Sequence, residues 1–77
     1  MKEVEWLEKH KKRTWLIEKR KAAGFESVRG FARAIGLSPS YYCEIETGAK
    51  NPGGRTAYKI SKALNFDMTV FYEEKDR

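Results

Sequence analysis

The chain has 77 residues, 16 Lys and Arg against 11 Asp and Glu, and one cysteine, so it holds one small domain with no internal disulfide. No apolar run approaches the roughly 20 residues that span a bilayer, and charges interrupt MKEVEWLEKHKKR where a signal peptide would need an apolar stretch. The charge is unevenly placed: residues 9–62 carry 13 Lys and Arg against 4 Glu, whereas residues 1–8 and 63–77 are each net −2. A basic central stretch of this kind attracts polyanions through phosphate neutralisation, although the same cations also serve as a solvated surface.

Residues 1–13 form a basic N-terminal segment in which Val4, Trp6 and Leu7 offer a small apolar patch, enough for a helix extension. Lys9, Lys11, Lys12 and Arg13 crowd the junction with the domain proper, residues 14–73, and are expected to repel one another. Thr14 is placed to cap a first helix from Trp15 to about Ala23, stopped by Gly24. Leu16, Arg20 and Ala23 share one face of it, with Phe25 closing below and Trp15 directed to the core.

Ser27 is the cap of a second helix, whose Val28, Phe31, Ala32 and Ile35 make the i, i+3, i+4, i+7 stripe of a one-sided helix. Gly30 inside it costs about 1 kcal/mol relative to Ala, a cost that fits close approach of a neighbouring helix or a phosphate. Gly36 can take a positive φ and close the helix, and Leu37 follows as an apolar plug. Ser38 caps a third helix with Pro39 at its first position; Tyr42 and Ile45 face inward, and Gly48 ends it.

TGAKNPGG is a turn-rich linker, after which Ala57, Ile60, Ala63 and Leu64 form the stripe of a fourth helix from about Gly54 to Leu64. Asp67 caps a last short helix carrying Val70 and Phe71, and residues 74–77 are a polar tail. The expectation is an all-α domain of five helices and no strand, with a helix-turn-helix formed by helices two and three.

Catalysis is not expected. No nucleophile, base and orienting group can be assembled, and there is no phosphate-loop fingerprint. Cys43 and His10 have no companions for a metal, so Cys43 reads as a small helical filler. No cofactor, small-molecule ligand or membrane partner is expected either.

The spacing from Trp15 to Phe71 resembles the Cro/repressor-type helix-turn-helix domain, the Xre family. The residues that bear the resemblance are Arg20, Gly24-Phe25, Phe31-Ala32, Gly36-Leu37-Ser38, Tyr42, Ile45-Glu46-Thr47-Gly48, Asn51-Pro52, Ala57, Ile60, Ala63-Leu64 and Phe71. The resemblance implies a lambda-repressor-like fold of five helices that binds double-stranded operator DNA, often as a dimer, and regulates transcription. It also implies a structural ion pair between Arg20 of helix one and Glu46 of helix three.

On this reading helix three, about residues 39–47, enters the major groove. Ser27, Val28 and Arg29 offer a helix N-terminus to one phosphate, and Lys50, Asn51 and Arg55 clamp another. Pro39, Ser40, Tyr41 and Glu44 face the bases, with Arg33 and Ser38 at their flank. That face lacks the Arg, Asn or Gln that read guanine or adenine with two hydrogen bonds, and Val28 stands where many family members have glutamine. Specificity is then modest, or comes from DNA shape, or from Arg29, Arg33 or the basic N-terminal segment.

A homodimer contact is expected around Phe66, Met68 and Tyr72, with the N-terminal segment as its rival and Trp6 packing on either the domain or a second subunit. The leading expectation is a small bacterial or phage-type repressor without room for a separate ligand-sensing domain. The alternative is a protein-interaction module on the same fold, an antitoxin-like or co-activator-like partner.

Overall fold

The computed structural model describes residues 12–73; the expectations for Val4, Trp6, Leu7, Lys9, His10, Lys11 and the tail at 74–77 lie outside them. Among the described residues, four α-helices and one 3-10 helix follow in order: α1 Thr14–Ala22, α2 Val28–Ala34, α3 Pro39–Thr47, α4 Gly54–Leu64 and η1 Met68–Tyr72. There is no strand among the described residues. The helices enclose Leu16, Phe31, Ala32, Tyr42, Ile45, Ala57, Ile60, Leu64 and Phe71, each 8% exposed or less.

Two aromatic groups fill that core. Phe31 meets Phe25 and Tyr42 with ring centroids 5.0 Å apart in each case, edge to face. Trp15 meets Phe66 at 5.4 Å and Phe71 at 5.2 Å in the same manner, a geometry that adds about 0.5–1.5 kcal/mol per pair beyond area burial.

The turn between α2 and α3 is built from the backbone. Gly36 has φ +77°, its N–H donates to Arg33 O at 3.2 Å, and the Leu37 N–H reaches back to Ala32 O at 2.8 Å. These two bonds satisfy carbonyls that the end of α2 leaves open. A side chain at this φ costs about 1–2 kcal/mol. Gly36→Ala is therefore expected to destabilise the domain by about that amount, read from chemical denaturation, with the secondary structure of the folded state unchanged.

α3 begins as its sequence implies, with Pro39 at the first position and Ser38 Oγ accepting from Tyr41 N at 3.0 Å. Ser27 likewise accepts from Gly30 N at 2.9 Å. A Cβ at position 30 would meet this capping hydroxyl at 2.9 Å, so the space at Gly30 is filled by the cap and not by a neighbouring helix.

Four expectations need correction. Thr14 is the first residue of α1 and not its cap; Arg13 holds the cap position without a side-chain cap bond, because a guanidinium has no acceptor to offer, and its own N–H donates to Glu46 O at 2.8 Å. Ala23 and Ala63 are exposed, and buried Ser61 completes the stripe of α4 at positions 57, 60, 61 and 64, its hydroxyl donating to Tyr58 O at 2.9 Å. The fifth helix is a 3-10 turn, since Val70 N and Glu73 N donate three residues back and the Asp67 carboxylate accepts from Thr69 N at 2.9 Å. Phe66 and Met68 pack against the core, so of the three residues expected at a dimer contact only Tyr72, at 57% exposed, stands clear.

Candidate nucleic-acid interface

α2 and α3 pack on one another, and a shallow groove runs between them on the outer side. Val28 and Arg29 of α2 line it together with Pro39, Ser40, Cys43 and Glu44 of α3. Arg29, Ser40 and Cys43 are exposed, whereas Val28, Pro39 and Glu44 are half-buried, and Val28 packs against the core. Cys43 is thus a surface thiol beside Ser40 and Glu44 and not the helical filler its sequence context implied. Its spacing of three residues from Ser40 was the available signal.

Lys50 extends this face beyond the end of α3. Its N–H donates to Glu44 O at 3.1 Å and its carbonyl accepts from Arg13 Nη1 at 3.0 Å, which fixes the backbone on both sides. The ammonium lies 3.6 Å from Glu44 Oε1 and 6.0 Å from the centroid of Tyr41. Asn51, expected to grip a phosphate, accepts a hydrogen bond at its side-chain oxygen from Arg13 Nη2 at 2.6 Å. Farther on, Gly53 caps α4 with no side-chain hydrogen bond, and exposed Gly54 and Arg55 begin the helix. The structure therefore gathers Val28, Arg29, Pro39, Ser40 and Glu44 into one groove and sets Tyr41 and Lys50 beside it. Ser27, Arg33, Ser38 and Arg55 are exposed outside the groove lining.

Beneath this face α3 is anchored by two arginines. Arg20 Nε donates to Glu46 Oε2 at 2.6 Å, and Arg20 Nη1 to Phe25 O at 2.7 Å. The Tyr42 hydroxyl donates to the same Glu46 Oε2 at 2.6 Å. Burial, followed by the neighbouring carboxylate, raises the Tyr42 phenol far above its ordinary range and keeps it neutral. Burial opposes the charge on Arg20, but the Glu46 carboxylate outweighs it and the guanidinium stays protonated. The spacing of Tyr42 and Glu46, four residues apart on one helix, was the sequence signal for this third member.

The second anchor is Arg13, only 2% exposed. Its guanidinium donates to Ile45 O, Lys50 O and Asn51 Oδ1, and lies 5.7 Å from the centroid of Phe71. Sequence reasoning grouped Arg13 with the basic N-terminal segment; the packing makes it part of the domain. The carbonyls at the end of α3 carry the negative end of the helix dipole, which draws the cation inward.

An α2–turn–α3 unit over a compact core, with an exposed face at the start of α3 and cations at its flanks, defines a helix-turn-helix protein. The helix-turn-helix family profile matches residues 16–71, and the chain belongs to that family. It is similar to an uncharacterized HTH-type transcriptional regulator, YqaF, of Bacillus subtilis (strain 168), at 36% identity over 62 residues, covering 80% of each protein. No solved structure matches the chain.

Proposed function

We propose that the protein is a DNA-binding transcriptional regulator, a small repressor acting in the cytoplasm, that lays α3 in the major groove of duplex DNA. The observation that carries this reading is the open α2–α3 groove with Arg29 on its wall and Lys50 at its edge. The similarity to a protein named as a transcriptional regulator supports it. Arg29, Arg33, Lys50 and Arg55 contact phosphates, and the open N–H groups at the starts of α2 and α4 add to the grip through the helix dipole. Ser40, Tyr41 and Glu44 meet base edges. A homodimer built through Tyr72 would read half-sites about 34 Å apart.

Binding to duplex DNA is expected to weaken steeply as salt rises, because each neutralised phosphate contributes a slope of about −0.9 to the logarithmic salt dependence. Combined reversal, Arg29→Glu with Lys50→Glu, should abolish it. Gel-shift titrations at several salt concentrations, with random and selected duplexes, measure both effects. Glu44, a carboxylate on the same face, favours a second reading as a protein-interaction module; a wild-type chain that binds no duplex at low salt decides for that reading.

A further inference from the structure

The exposed face of α3 contains one acidic side chain, Glu44, and the Lys50 ammonium lies 3.6 Å from its carboxylate. The arrangement is built. The Glu44 carbonyl accepts from both Lys50 N and Thr47 Oγ1 at 3.1 Å, while the Lys50 carbonyl is held by Arg13. Lys50 thus has a fixed backbone and a side chain that is 56% exposed. In the free protein its ammonium is paired with the Glu44 carboxylate.

Resting on the DNA-binding reading above, we infer that Glu44 is the specificity-determining residue of this interface and acts by competing with DNA for Lys50. On random duplex, Lys50 must leave Glu44 for a phosphate, and an unpaired carboxylate then faces the negatively charged groove. On the cognate site the carboxylate accepts a hydrogen bond from an exocyclic amino group, the N4 of cytosine, and Lys50 is released to the backbone without that penalty. Glu44 therefore lowers affinity for random DNA and raises discrimination. A Glu at this position supplies selectivity on a face that lacks Arg, Asn and Gln.

The test combines selection from a random duplex pool with salt-dependent titration, using wild type, Glu44→Ala, Glu44→Gln and Lys50→Met, with circular dichroism to check folding. Glu44→Ala should raise affinity for random duplex about two- to fivefold, the worth of an exposed ion pair, and flatten the preference at one base pair by about tenfold or more. Glu44→Gln should move that preference from cytosine to adenine, which glutamine reads with two bonds. Lys50→Met should weaken binding, reduce the salt slope by about 0.9 and narrow the gap between selected and random duplex, because no cation is left for Glu44 and DNA to compete for; an unchanged gap would overturn the competition. Selected sites identical for wild type and Glu44→Ala, or a loss of random-duplex affinity in Glu44→Ala, overturn the inference while leaving the DNA-binding reading standing. Wild-type protein that binds no duplex overturns both. The Glu44 and Lys50 side chains are 45% and 56% exposed, and if one Glu44 variant fails to fold, the other together with Lys50→Met still decides.

Discussion

Glu46→Ala is expected to lower the free energy of unfolding by about 3–5 kcal/mol, the cost of leaving a buried charge without its partner. Arg20 is 4% exposed, and in the variant its guanidinium faces a cavity where a carboxylate stood 2.6 Å away. The Tyr42 hydroxyl loses its acceptor in the same step. Small domains hold only about 5–15 kcal/mol of net stability, so the loss is a large share of the total. It translates into a melting temperature lower by roughly 15 °C or more. Glu46→Gln keeps the shape and an acceptor oxygen and should fall between wild type and the alanine variant. Tyr42→Phe removes only one bond to a charged group, a loss of about 1.5–3 kcal/mol. Thermal and urea denaturation followed by circular dichroism measure all three. Replacing Glu46 and Arg20 together with apolar residues of similar volume should cost less than Glu46→Ala alone, because no orphaned charge remains. An unchanged melting temperature for Glu46→Ala would show that the pair does not hold α1 to α3.

The scaffold was readable in the chain because its signals are local. Ser27, Ser38 and Gly36 act on residues within a few positions of themselves, and Phe31, Ala32 and Ile45 lie on stripes set by the helical period. Errors arose where the deciding contact was distant or where a face had to be centred. Ala63 and Ser61 lie two residues apart, and composition favours Ala as the buried one; packing chose Ser61, whose hydroxyl finds a carbonyl one turn back. Phe66 looked available for a second subunit until Trp15, fifty-one positions earlier, met its ring. The candidate interface was read less completely than the scaffold. Arg29, Arg33, Lys50 and Arg55 are exposed, as their charge implies, but the pairing of Lys50 with Glu44 and the use of Asn51 by Arg13 depend on how the linker after α3 folds back. No periodicity describes that linker.

Arg13 is the clearest case of a distant cause, and its replacement should have the second large effect. Arg13→Met keeps the aliphatic stem and removes the guanidinium. The Ile45 carbonyl, 32 residues away, keeps the Gly48 N–H at 3.3 Å but loses its charged donor, and a hydrogen bond to a charged group contributes about 1.5–3 kcal/mol. Loss of the cation from the end of α3 adds about 0.3–1 kcal/mol, and up to ~2 where the site is partly buried. Lys50 O and Asn51 Oδ1 can turn to water, so their loss weighs less. The expected destabilisation is about 2–4 kcal/mol, measured by urea denaturation. Arg13→Lys should recover only a part, since one ammonium cannot span three acceptors that a planar guanidinium reaches together. The loop from Gly48 to Pro52 should respond more than the body of the domain. Amide exchange at Lys50 is the discriminating readout, because its N–H is bonded to Glu44 O and its carbonyl to Arg13. If Arg13→Met matched wild type in both stability and exchange at Lys50, the guanidinium would be a passenger of the fold. If exchange at Lys50 rises beyond what the global loss explains, Arg13 is the residue that fixes the linker, and with it the cation at the edge of the groove.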